Sequence, residues 1–178
     1  MIGRSGSCPV SCAEMFTIRP ISYEERLAVL EVYRQCEDFL SLGPQPRASL
    51  EMVDADLALS RQAGGVFCGI YLPGPSGEPE MVGVVDYVPG GYGGVSEHAD
   101  LSLLMIAAPY RSAGLGRAVA EWVEAQVRAN PAVTAILSGV QVNNPGAIRF
   151  WTRMGYRITS GPELQADQTT TFQLWKDL

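Results

Sequence analysis

The chain has 178 residues, 47% hydrophobic and 18% charged, with a formal net charge of −6; it is long enough for one domain with an ordinary core. The acidic balance argues against a general grip on nucleic acid and suits cationic small molecules better, and no apolar run approaches the ~20 residues of a membrane span. Cys8, Cys12, Cys36 and Cys68 form no C-x-x-C pair and His98 is the only histidine, so a metal site is not expected; free thiols in a cytoplasmic protein without a signal peptide are.

Residues 1–14, rich in Ser, Gly and Cys, show no period and read as a flexible leader, which places the domain at 15–178. A short strand over 16–21 leads to Ser22, and the Ser22 to Glu25 spacing is a capping box. Val29, Val32, Tyr33, Cys36 and Leu40 recur at helical spacing until Gly43-Pro44, and a second helix runs from Ser49 to Gln62. Strands follow at 66–71 and 81–88 across a Gly/Pro turn, as a hairpin. After a glycine-rich loop, 89–94, the run from Asp100 to Ile106 reads as a strand.

The next helix, 115–129, turns Leu115, Val119, Trp122 and Val123 inward and Arg117, Glu121, Glu124 and Arg128 outward. A β-branched run at 135–142, a short helix capped by Asn144-Pro145 and ended by Gly155, and strands from Tyr156 and from Thr169 complete the chain. This order predicts an α/β domain with a mixed sheet, in which the strand, helix and strand of 100–142 form a right-handed parallel unit.

The most informative segment is Tyr110-Arg111-Ser112-Ala113-Gly114-Leu115-Gly116-Arg117, where a strand passes through a glycine turn into a helix. The first N–H groups of a helix lack intrahelical partners and carry the positive end of the macrodipole, so the turn suits a diphosphate. Gly114 and Gly116 let the main chain approach it, and Arg111 and Arg117 add charge-assisted bonds. Arg149 and Arg153 lie in the second informative segment and read as solvated helix faces. A P-loop is absent, and the dinucleotide fingerprint fails where its third glycine is replaced by Val119.

Taken together, Arg111-x-x-Gly114-x-Gly116, Asn143-Asn144-Pro145-Gly146-Ala147 and Phe150-Trp151-x-x-x-Gly155-Tyr156 resemble the GNAT N-acetyltransferase superfamily over residues 15–178. The resemblance implies a three-layer fold whose central sheet is mixed, mostly antiparallel, splayed in the middle and flanked by helices. Acetyl-CoA then lies where the strands 100–106 and 135–142 part. The backbone of Leu104, Met105 and Ile106 is implied to face the pantetheine amides and acetyl carbonyl, and the amides of Ser112, Ala113, Gly114, Leu115, Gly116 and Arg117 the diphosphate. Asn144, with Asn143 as its rival, is placed near the pantetheine arm beside Ala147 and Phe150; an N-cap role for Asn144 is compatible.

Trp151 departs from the family pattern, which often has tyrosine there as an acid for the leaving thiolate. An indole cannot serve, so Trp151 reads as packing against cofactor or core. The implied reaction is direct attack of a neutral amine on the thioester, with the oxyanion held by a backbone N–H near Ile106. An alkyl ammonium of pKa ~10.4 needs a base; Asp100 and Glu97 are the candidates and Asp86 the third. Glu37, Asp38, the loop 89–97, Phe39, Tyr87 and Tyr92 outline an acidic acceptor pocket for a cationic small molecule or a peptide amine. The competing reading is a CoA-binding sensor or interaction module of the same fold. The Thr169 to Trp175 strand is expected at a sheet edge, where a second copy would pair to give a homodimer.

Overall fold

The computed structural model describes residues 16–178; the expected leader lies outside them. Seven strands form one sheet in the order β1-β2-β3-β4-β5-β7-β6, with β1 at Thr17–Pro20, β2 at Val66–Pro73, β3 at Pro79–Val88, β4 at His98–Ile106, β5 at Ala135–Gln141, β6 at Arg157–Leu164 and β7 at Thr170–Asp177. Only the β4–β5 contact is parallel; the other five are antiparallel. Helices α1 (Arg26–Arg34), α2 (Glu37–Leu40) and α3 (Leu50–Gln62) precede the main hairpin, while α4 (Leu115–Arg128) and α5 (Pro145–Arg153) follow β4 and β5.

Two apolar clusters place the layers. Val29, Val32 and Tyr33 of α1 and Val53 of α3 pack on Phe67, Val84 and Met105 on one face of the sheet. Leu115, Val119, Val123 and Val127 of α4, with Trp151 of α5, pack on Ile70, Val82, Leu101, Ile136 and Leu174 on the other. This is the expected three-layer arrangement, produced by helical stripes closing both faces of the sheet.

The β4–β5 ladder positions the site. Pairing runs from His98–Ala135 to Leu101–Ser138 and stops there, although β4 continues to Ile106 and β5 to Gln141. Beyond Leu101 the two strands part, as expected. On its other side β4 skips one residue against β3, with Asp86 opposite Leu103 and Tyr87 opposite Leu101. Ser102 is therefore a bulged residue, and a bulge bends its strand and increases the twist.

Three expectations are corrected. The helix through Val29 to Leu40 breaks at Gln35–Cys36, because tertiary contacts claim the joint: the Gln35 carbonyl accepts from the Ala108 N–H at 3.4 Å, and the Cys36 thiol donates to the Ile106 carbonyl at 3.4 Å. The last strand is not an edge. β7 lies between β5 and β6 because it carries buried Leu174, whereas β6 is exposed almost throughout and contains Pro162, which cannot donate to a ladder and suits an edge. Glu124, read as outward, is 3% exposed, because Lys176 of β7 meets it at 2.7 and 2.8 Å.

Candidate active site

The turn after β4 takes its shape from two left-handed residues. A short 3-10 segment, Ala108–Tyr110, ends β4; Ser112 then takes φ 66° and Gly114 φ 85°. A Cβ on Gly114 would meet nothing within 4 Å, so glycine is required there by its left-handed dihedral and not by crowding. The first α4 amide with a helical acceptor is that of Ala118, which donates to the Gly114 carbonyl at 3.0 Å; the N–H groups of Leu115, Gly116 and Arg117 precede it and have no hydrogen-bond partner among the described residues. A groove of about 480 Å³ opens over this turn, lined by Ile106, Ser112, Gly114, Gly116, Phe150 and Met154 among others.

Arg111 borders that groove, with its guanidinium engaged by the protein itself. Its Nε donates to the Ile106 carbonyl at 2.7 Å, and its two terminal nitrogens are taken by the Asp38 carboxylate. The guanidinium thus ties the end of β4 to α2, and beside it the Asp38 carboxyl is held below the usual carboxylate range. Arg117 is exposed and bonded to Glu121 one turn on, at 2.8 Å. Glu37 is likewise spent, on Arg47 and the Ala48 N–H. The acidic pocket expected from Glu37 and Asp38 is therefore neutralised by arginines, and Tyr87 is a core residue packed edge-on against Trp122.

The second motif also resolves into separate jobs. Asn144 caps α5 by accepting from the Ala147 N–H at 3.0 Å, with Pro145 at the first helical position. Asn143 instead donates to the Leu42 carbonyl at 2.9 Å, tying the loop after α2 to the end of β5. Trp151 is 6% exposed and packs edge-on between Phe150 and Tyr156, each at 4.9 Å; no phenol stands in its place. The Tyr156 hydroxyl is buried without a hydrogen-bond partner among the described residues.

Of the proposed bases, Asp100 belongs to the opening. It is 6% exposed, stands opposite Leu137 just before the β4–β5 ladder ends, and accepts from the Ser102 hydroxyl at 2.6 Å. Burial pushes its pKa up to about 6, against the pull of that hydrogen bond. Asp86, on β3, is raised by burial as well and accepts from the buried Ser60 hydroxyl at 2.6 Å. Glu97 is elsewhere: it precedes β4 at the paired end, exposed and bonded to Ser96, about 23 Å of extended strand from Leu104. Sequence reasoning missed Ser102 and the pairing of Asp38 with Arg111. An Asp-x-Ser spacing on one strand was the available signal for the first; the second spans 73 positions and leaves no local trace.

Among the described residues no group of His, Cys, Asp and Glu is arranged for a metal, and no helix is long and apolar enough to cross a membrane. The open turn, its amides unpaired among the described residues, and the parted strands fit the diphosphate and the extended arm of acetyl-CoA, and the groove's lining sets Arg111, Arg117, Arg153 and Lys176 beside the carboxylates Glu121 and Glu124.

Comparison with known proteins agrees with this geometry. The model of the acetyltransferase (GNAT) family matches residues 36–156, while no curated protein matches. Among solved structures, an acetyltransferase from Thermus thermophilus superposes with TM-score 0.75 at 23% identity, over 92% of this chain and 97% of that one. The ribosomal-protein-S18-alanine N-acetyltransferase of Escherichia coli gives 0.65 at 15%, over 92% and 94%. The PaiA N-acetyltransferase of Thermoplasma acidophilum, crystallised with coenzyme A, gives 0.62 at 15%, over 92% and 99%. These likenesses establish the fold, and the family match covers the turn, the parted strands and the α5 motif together. The chain belongs to the GNAT acetyltransferase family, whose acetyl donor is acetyl-CoA.

Proposed function

We propose that this protein transfers the acetyl group of acetyl-CoA to a primary amine of a small molecule or peptide by direct attack. The observation that carries the reading is the β4–β5 ladder ending at Leu101–Ser138 just upstream of a turn whose amides are unpaired. Main-chain N–H groups from Ser112 to Arg117 hold the diphosphate, and the backbone of Leu104 to Ile106, without a ladder partner on its β5 side, aligns the pantetheine arm, the Ile106 N–H polarising the thioester carbonyl while the Ile106 carbonyl stays with Cys36 and Arg111. Acetyl-CoA supplies an acyl group on a thiol of pKa ~8.5, which departs as a thiolate without prior protonation, so Trp151 does not forbid turnover. An amine acceptor accords with the S18-alanine and PaiA N-acetyltransferases among the structural relatives.

The test is release of free thiol from acetyl-CoA by the purified protein across a panel of polyamines, amino-acid esters and peptides with free α-amines. Amine-dependent release at a rate well above hydrolysis is the expected outcome. The burial of Trp151 in the slot where a tyrosine would serve favours a second reading, a CoA-binding sensor. That reading takes over if calorimetry shows acetyl-CoA binding while no amine produces thiol.

A further inference from the structure

Asp100 is buried, yet its hydrogen-bond partner is not: Ser102, which donates to its Oδ2 at 2.6 Å, is exposed. Exposure at the centre of a seven-stranded sheet needs a local cause, and two are present. The β3 ladder steps over Ser102 at the bulge, and the β5 ladder ends one residue before it, where the Ser138 hydroxyl closes on the Leu101 carbonyl at 2.8 Å. The Ser102 hydroxyl therefore stands at the apex of the opening, bonded behind to a carboxylate that solvent barely touches. Leu104, whose backbone the proposed function assigns to the acyl group, is two residues on, about 7 Å along the strand.

We propose that Ser102 is a catalytic residue that relays the acceptor's proton to Asp100; the inference rests on the acetyltransferase reading. The acceptor ammonium donates to Ser102 Oγ. As that oxygen takes the proton it passes its own to Asp100 Oδ2, leaving a neutral amine and a neutral carboxylic acid. The nitrogen lone pair then forms the C–N bond at the acetyl carbon, and the C–S bond breaks with its electron pair leaving on sulfur. The second N–H proton is lost from the new amide and neutralises the thiolate. Asp100 returns its proton to water through the same hydroxyl. One ammonium and one thioester thus give one amide, one thiol and one proton.

The surroundings favour this use of Asp100. The titratable groups facing it are Asp86 from β3, Tyr92 from the loop before β4, and Tyr156 from the junction of α5 and β6. Both phenols are pushed up and stay neutral, and burial places Asp100 closer to an ammonium in proton affinity than an exposed carboxylate would be.

The experiment compares wild type, Ser102→Ala, Ser102→Thr and Asp100→Asn with spermidine, lysine methyl ester and a peptide bearing a free α-amine, using whichever the wild type acetylates. Ser102→Ala is expected to lower kcat by about 100-fold, with acetyl-CoA affinity by calorimetry unchanged, and Ser102→Thr to restore most of it. The deficit of Ser102→Ala is expected to shrink as pH rises toward the acceptor's own pKa, where the amine arrives neutral and needs no relay. The relay is overturned if Ser102→Ala keeps the wild-type kcat, if its deficit is the same at every pH, or if Ser102→Thr is as slow as Ser102→Ala, in which case shape and not the hydroxyl matters. Those failures leave the acetyltransferase reading standing; a wild type that releases thiol with no amine removes that reading and the relay with it.

Discussion

The Arg111 guanidinium and the Asp38 carboxylate form a two-point pair between residues 73 positions apart, and the same guanidinium caps the Ile106 carbonyl through Nε. One side chain thereby fixes α2 against the last residue of β4, where the chain turns toward Gly114. The pair is partly solvated, with side chains 33% and 63% exposed, so its ionic component is worth less than about 1 kcal/mol. The bond to Ile106 is charge-assisted and half-buried, worth roughly 1.5 to 3 kcal/mol. Urea unfolding is therefore expected to show Asp38→Ala as mild and Arg111→Ala as clearly worse, with Arg111→Ala also weakening acetyl-CoA binding. Equal losses from the two variants would contradict this division.

Gly114 offers a cleaner separation of backbone from packing. With φ 85° and open space around a built Cβ, Gly114→Ala meets no neighbour, and its cost is the left-handed dihedral alone, about 1 to 2 kcal/mol. If the turn relaxes toward negative φ to escape that cost, its amides lose their convergence. Calorimetry is expected to show acetyl-CoA affinity falling at least tenfold. Gly83 makes the contrast: a Cβ there would lie 2.6 Å from the Met105 carbonyl oxygen, so Gly83→Ala is expected to damage stability by separating β3 from β4.

What was legible in the sequence was what is local. The glycine turn, the Asn144 cap and the capping box at Ser22 each use residues within a few positions of one another, and each forms as read. The parting of β4 and β5 came from the resemblance, because periodicity has no signature for a ladder that stops. Pairings at long separation were invisible: Arg111 with Asp38 changed the expected fate of both, and Lys176 drew Glu124 inward against the helical pattern. The order of the last two strands was hidden for the same reason, although Pro162 in β6 was a usable sign of an edge.

Glu124 and Lys176 give a stability prediction of their own. Glu124 is 4% exposed at its side chain and bonded through both oxygens to Lys176 Nζ, with Arg128 more distant at 3.5 Å. Lys176→Met leaves a buried carboxylate with one weak partner and is expected to cost about 3 kcal/mol. Removing both charges, as Glu124→Gln with Lys176→Met, is expected to recover most of that loss in urea unfolding. A double variant as unstable as Lys176→Met alone would show that the cost is packing and not an orphaned charge.

Asp100 ties the proposed chemistry to folding stability, and the sign can be worked out. Its pKa in the folded protein, about 6, lies above the ordinary value of 3.8, so the fold favours the protonated form. The stabilisation associated with the bound proton is complete below about pH 4 and is lost as pH rises through 6. A shift of that size corresponds to roughly 2 to 3 kcal/mol by pH 8. Asp100→Asn keeps a neutral polar side chain of similar shape and has no such proton to lose. Thermal or urea unfolding is expected to find the variant close to wild type at pH 4 and more stable at pH 8, while its thiol release is abolished at both. A group that the fold holds against its own stability at neutral pH, yet whose removal stops turnover, is the behaviour of a base kept for catalysis. An Asp100→Asn variant less stable than wild type at pH 8 would instead make that carboxylate a structural partner of Ser102.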